Sequence, residues 1–200
     1  MKKIVLLLTF TFLFNLLALR FEDCRITAQN FNKQGDLALS HAMKAQKGVR
    51  KFFLKEAKWF YEQSTKAYTD NLNGFLGLAR SYMYLGRFNK AYNNFMVAYN
   101  FDNNNPLINY YLGEYNFLNE KSMTALEFYK AAYRNGYTKH YNTNFQIALC
   151  YDKLGDAPKA TEYYKKCLKI DSKAKEPRKK LAQIEIKDEK YKDYYEFYQK

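Results

Sequence analysis

The sequence predicts an all-α protein built as an array of four to five helix–turn–helix hairpins. Two observations carry that prediction. The first is the stretch Ile147–Asp171, which reads as two helices joined by a turn at Leu154-Gly155-Asp156. Small residues stand where the helices must touch, Ala148 on the first and Ala160 and Cys167 on the second, while Ile147, Tyr151, Tyr164 and Leu168 fill the space between. Such a hairpin cannot bury its apolar face alone. The second observation is that it recurs: Ile147-Ala148 is preceded 35 residues earlier by Leu112-Gly113, and that pair 34 residues earlier by Leu78-Ala79. The second helix repeats the same columns, as Ala91, Ala125 and Ala160, then Phe95, Tyr129 and Tyr164, then Ala98, Ala132 and Cys167. Composition agrees, since 8 Gly and 3 Pro are too few for a loop-rich β fold or a disordered chain. Pro106, Pro158 and Pro177 each fall where a helix should begin, the position at which the missing N–H is harmless.

Self-similar columns at a period of about 34 residues resemble the tetratricopeptide repeat (TPR) family. The resemblance covers roughly residues 38–200 and rests on three consecutive units in register. It implies a solenoid coiled as a right-handed superhelix, in which only neighbouring repeats touch.

Taken in order, Lys2 and Lys3 precede sixteen mostly apolar residues, Ile4–Leu19, the shape of a secretory signal. Residues 1–28 are expected to be a signal peptide ending at Ile26-Thr27-Ala28, or else an uncleaved N-terminal membrane anchor. Phe21-Glu22-Asp23 ahead of Cys24 is wrong for lipidation. Mostly polar residues 29–37 read as a linker. Residues 38–70 form a degenerate first repeat: Ala57, Tyr61 and Ser64 keep the second-helix columns, but Lys44-Ala45 and Gly48 break the first-helix pattern. The second repeat, 71–105, is the cleanest, with Phe75, Leu78, Ala79, Tyr82, Gly86, Ala91, Phe95 and Ala98 all matching the family. The third, 106–140, begins with Asn105 as a cap ahead of Pro106. It has Asn116 in the tyrosine column and Glu120 in place of the turn glycine, so a looser turn is expected there. Gly136 suits the end of its second helix. The fourth is 141–174. Residues 175–200 read as a degenerate closing pair, Glu176–Lys187 and Tyr191–Gln199, with Tyr194 where the pattern demands alanine.

Catalytic chemistry is not supported. His41 and His140 lack ligand-spaced partners, and there is no Gly-rich phosphate loop, no G-x-S-x-G and no Cys-x-x-Cys. We expect no enzyme, no metal and no cofactor. Cys150 and Cys167 lie on opposite helices of one repeat and could pair in an oxidising compartment, but the simpler reading makes Cys167 a small buried residue in an alanine column.

In TPR proteins the first helices line a concave face that binds peptides or partner helices. Carried over onto this chain, the resemblance marks Asn73, Leu76, Arg80, Met83 and Tyr84 in the second repeat. It marks Leu107, Tyr110, Glu114, Phe117 and Leu118 in the third, and Asn142, Phe145, Leu149, Asp152 and Lys153 in the fourth. The paired Lys and Asn residues of the chaperone-tail clamp are missing, and the face is apolar and aromatic with few charges. The expected function is a protein-interaction scaffold of the cell envelope, secreted, periplasmic or membrane-tethered, taking a protein or peptide in that groove. The alternative rests on charge. The chain carries +13, and without residues 1–28 it loses four basic and two acidic residues and keeps +11. The cluster Lys165, Lys166, Lys169, Lys173, Lys175, Arg178, Lys179 and Lys180 would bind anionic lipid or nucleic acid, and an export signal disfavours the latter.

Overall fold

The computed structural model describes the backbone of residues 2–198 and the side chains of residues 20–187. The helices are α1 (Lys2–Lys44), α2 (Lys47–Ala67), α3 (Leu72–Tyr84), α4 (Phe88–Phe101), α5 (Pro106–Leu118), α6 (Ser122–Ala132), α7 (Tyr141–Lys153), α8 (Ala157–Ile170) and α9 (Lys175–Tyr198). A π-helical turn, Tyr133–Tyr137, follows α6. The chain divides into two compact units, Met1–Phe101 and Asp102–Lys200. Within each, every helix packs on its successor.

In the first unit, residues 29–37 are not a linker but the middle of α1. Ala28, Asn32, Gly35, Leu39 and Ala42 are buried at spacings of three and four residues, which places them on one helical face. That stripe is hard to see in sequence because an amide and a glycine hold two of its five positions. Asn32 is satisfied internally. Its Nδ2 donates to Asn71 Oδ1 (3.1 Å), while the Ser64 hydroxyl lies 2.7 Å from both Asn32 Oδ1 and the Ala28 carbonyl oxygen. Asn71 Nδ2 donates to Ser64 Oγ (2.8 Å), and Asn71 Oδ1 caps α3 by accepting from the Gly74 N–H (2.9 Å). Three helices are thus joined through one fully paired polar network, the condition under which buried polar groups are tolerated.

The first repeat is recognisable once its register is moved. Gly35 lies against the Tyr61 ring, and the Tyr61 hydroxyl donates to Asp36 (2.6 Å). In the second unit Gly113 lies against the Tyr129 ring, and the Tyr129 hydroxyl donates to Glu114 (2.8 Å). Gly35-Asp36 is therefore the counterpart of Gly113-Glu114. The glycine and tyrosine are 26 residues apart in the first repeat and 16 in the third. The ten extra residues lengthen both helices of the first hairpin beyond the repeat unit, so a fixed 34-residue step lands on Lys44-Ala45 at its tip. At this tip Met43, Val49 and Phe52 are exposed.

The inter-helix turns share one geometry. Arg87, Lys121 and Asp156 each donate their N–H to the carbonyl five residues earlier, of Tyr82, Asn116 and Tyr151, all at 2.9 Å. Gly86 and Gly155 occupy the left-handed region with φ of 73° and 80°, and Glu120 does the same at φ 60°. The third turn is therefore as tight as the others rather than looser, and a non-glycine residue carries its strain. A left-handed residue with a Cβ costs about 1 kcal/mol relative to glycine. Glu120→Gly is expected to stabilise the chain by about that amount, read as a higher urea midpoint at unchanged slope. A lower midpoint would contradict this account.

In the second unit Asn105 caps α5, its Oδ1 accepting from the N–H groups of Leu107 (3.1 Å) and Ile108 (3.3 Å) ahead of Pro106. The core gathers Ala125, Leu126, Tyr129, Ile147, Ala148, Cys150, Tyr151, Ala160 and Tyr164. Leu181 and Ile184 of α9 pack against it. The closing element is a single helix rather than a pair, since no Gly or Pro stands between Lys187 and Tyr191 to end it. The Tyr194 side chain lies outside the described residues. So do the side chains of Ile4–Leu19, and among the described residues no helix is long and apolar enough to cross a membrane.

Candidate functional site

The first unit contains a cleft of about 430 Å³ between α1 and α3. From α3 come Asn73, Leu76, Gly77 and Arg80, three of which the sequence placed on a binding face. From α1 come Gln29, Asn32, Lys33 and Asp36, which the linker reading excluded. A Cβ on Gly77 would lie 2.1 Å from the Tyr61 ring, so only a bare backbone allows α3 to approach so closely. Asp36 is engaged by the Tyr61 hydroxyl, whose proton is held well above the usual phenol range by burial and by that carboxylate. Among the described residues no ion pair holds Lys33 or Arg80. Arg80 is half-buried, and its Nε is sealed from solvent without an acceptor. Further along, Met83 and Tyr84 are half-buried, and the Arg50 guanidinium sits 5.8 Å from the Tyr84 ring centre.

The second unit treats its marked residues differently. Tyr110, Phe117, Phe145 and Leu149 are half-buried and pack against the core. Glu114 accepts from Tyr129, and burial together with Glu114 pushes the phenols of Tyr129 and Tyr110 upward. Asp152 pairs with Lys180 (3.0 Å) and accepts a long hydrogen bond from Tyr164 (3.5 Å). The Lys153 ammonium lies 4.5 Å from the Phe117 ring centre. Leu107 is half-buried, and Leu118 is 57% exposed. Of the residues marked on α5 and α7, most are thus tied into packing or polar contacts, while Leu118, Asn142 and Lys153 are exposed.

The basic cluster is partly neutralised. Lys166 pairs with Glu162 (2.8 Å) and sits 3.9 Å from the Tyr163 ring centre, and Lys180 is held by Asp152. Lys165, Lys169, Lys173, Lys175, Arg178 and Lys179 are exposed. Cys150 and Cys167 are free and buried, and burial pushes both thiols up to about 12. At that value they are inert as nucleophiles. Among the described residues no group of three His, Cys, Asp or Glu could hold a metal ion.

Two features escaped the sequence reading. The α1 wall of the cleft could have been found by noticing that Gly35-Asp36 repeats Gly113-Glu114, but only by allowing a ten-residue insertion. The other is a pair of buried amides, Asn109 and Asn144, which occupy one column 35 residues apart. Asn109 Nδ2 donates to the carbonyls of Asn103 (2.7 Å) and Asn105 (2.9 Å). Asn144 Nδ2 donates to those of Thr138 (2.9 Å) and His140 (3.0 Å). Each thereby fastens the loop that enters its repeat.

Comparison with known proteins agrees with this architecture. Residues 141–173 match the tetratricopeptide repeat family. No curated protein sequence matches the chain. Among solved structures, one crystal structure of MamA is 24% identical, covers 67% of this chain and 78% of its own, and superposes with a TM-score of 0.61. A second crystal structure of MamA is 20% identical over 86% of this chain and 88% of its own, with a TM-score of 0.68. YrrB, a TPR protein with an unusual peptide-binding site, is 17% identical over 76% of each chain, with a TM-score of 0.62. At these identities the likeness shows the fold. With hairpins that repeat the same packing columns, the chain has the fold of tetratricopeptide-repeat proteins, and its residues 141–173 match that family by sequence.

Proposed function

We propose that this chain is a non-catalytic scaffold that holds a peptide or partner helix on the first helices of its repeats, in the cell envelope. One observation carries the reading. The columns shared between repeats are consumed by packing, while Leu76 and Arg80, which differ from their counterparts in the third and fourth repeats, line an open cleft on α3. A fold whose repeated positions make the core and whose repeat-specific positions face a cleft is suited to recognition rather than chemistry. The peptide-binding site of YrrB, on the same fold, supports it. The location rests on Lys2, Lys3 and the apolar run Ile4–Leu19. Fractionation of a tagged chain tests it, and recovery with cytosolic proteins alone would contradict it.

The binding face is tested by photo-crosslinking in native cells, with a photoreactive residue at Leu76 or at Val97. Val97 is 37% exposed on α4, a second helix. Discrete adducts are expected from position 76 and not from 97. Equal adducts from both positions, or none from 76, would refute the face.

A further inference from the structure

We propose that the tip of the first hairpin docks on an anionic membrane surface, independently of the peptide face described above. Residues 43–52 close that hairpin, and all of them but Ala45 are exposed. Between Asp36 and Glu56 the chain carries five basic residues, Lys44, Lys47, Arg50, Lys51 and Lys55, and no acid. All five are exposed, and among the described residues none makes an ion pair. Lys47 and Arg50 stand in the first turn of α2, where the helix dipole disfavours cations, and no acid accompanies them there. The fold gains nothing from that charge, and a negative surface offsets its cost. Among the same cations stand three exposed apolar side chains, Met43, Val49 and Phe52, the last of them 64% open.

The pairing of positive charge with apolar bulk identifies the occupant. A bilayer interface offers negative headgroups and, about 5–10 Å deeper, an apolar layer, so it engages both kinds of side chain. Nucleic acid would engage the cations but leave Met43 and Val49 in water. A stable protein interface takes about 20–30 residues from each partner, more than this tip supplies. Beside the tip a cavity of about 410 Å³ is lined by Lys47, Arg50, Lys51, Leu54, Tyr84 and Leu85. Three cations beside apolar walls suit the phosphate of a lipid headgroup. Arg50 joins this cavity to the exposed tip, its guanidinium 5.8 Å from the Tyr84 ring centre and its Nη2 3.8 Å from Met43 Sδ. At 1.5 Å per residue α1 puts Lys44 about 36 Å from Arg20, so the tip and the apolar run Ile4–Leu19 are far enough apart to meet separate bilayers.

The test holds the full chain in phosphatidylcholine nanodiscs, adds separate vesicles and floats the vesicles with whatever they have bound. The vesicles are phosphatidylcholine alone or an equal mixture with phosphatidylglycerol. Binding is expected to the mixture only, and to weaken as salt rises. Lys47→Gln, Arg50→Gln and Lys51→Gln should each weaken it about 5-fold and together about 100-fold, the worth of cations at an anionic surface. Phe52→Ser should weaken it about 10-fold, because that side chain enters the apolar layer. Changing Lys165, Lys169 and Lys179 to Gln together, on α8 and α9, should alter it by less than about twofold, since surface attraction fades within a Debye length. Equal binding to both vesicles, or as large a loss from the α8–α9 triple as from the tip triple, would overturn the proposal. So would full binding by Phe52→Ser: if inorganic phosphate then competes at constant ionic strength, the cavity takes a free anion instead. Duplex DNA bound through the tip cations in the absence of vesicle binding would assign the tip to nucleic acid. The altered side chains are all exposed, and the comparison of the two vesicles needs no variant at all. None of these outcomes bears on the peptide face.

Discussion

Gly77→Ala is expected to destabilise the first unit by about 3 kcal/mol, the upper end of what one added methyl costs in a packed core. The new Cβ would lie 2.1 Å from Tyr61 Cε1, and that ring cannot retreat, because Gly35 backs it with an ideal Cβ position only 2.8 Å away. Tyr61 is fully buried and held at its far end by Asp36, so rotating it breaks a hydrogen bond as well. The helix-propensity gain of alanine over glycine returns only about 1 kcal/mol. The measurement is urea unfolding followed by the fluorescence of Trp59, the single tryptophan, which lies in α2 against Phe31 and Phe60. A size argument makes its own control. Tyr61→Leu is destabilising alone, yet should cost far less in the Gly77→Ala background, because the smaller side chain vacates the space the methyl needs. A Gly77→Ala midpoint within error of the unaltered chain, or strict additivity of the two changes, would show that the helices separate more easily than this packing implies.

Removal of the loop-fastening amides should have the second largest effect. Asn109→Ala is expected to cost about 3 kcal/mol, since two carbonyls lose their donor and a fully buried side chain leaves a void. Asn144→Ala removes the same pair of bonds but also an Oδ1 that is buried without a donor, so about 2 kcal/mol is expected. The ordering is the sharper claim. Far-UV circular dichroism in urea gives it, and a larger loss at Asn144 than at Asn109 would contradict the hydrogen-bond assignment.

These two cases show what the chain discloses and what it conceals. The 34-residue columns are legible because each records a local requirement: a small residue where helices cross, an aromatic to fill the space, a left-handed residue at the turn. The third turn illustrates the limit of reading by residue type. Glu120 suggested a looser connection, yet the Lys121 to Asn116 hydrogen bond imposes the same geometry as its neighbours and the glutamate adopts it. Asn109 and Asn144 were illegible for a related reason, because a buried asparagine looks like a surface residue until its carbonyl partners are located.

The cleft was half-visible. Its α3 wall followed from the repeat register, and its α1 wall did not, because ten inserted residues broke the period and a polar stretch read as a connector. By itself the sequence determined the hairpin unit, its recurrence and the absence of recognisable catalytic motifs, all properties of short-range patterns. Only the tertiary structure decided that residues 29–37 are helical, that Gly35 and Gly77 enclose Tyr61, and that Lys33 and Arg80 face one space. Those facts depend on which distant segments pack together, and a helix's polar face takes its meaning from what lies opposite it.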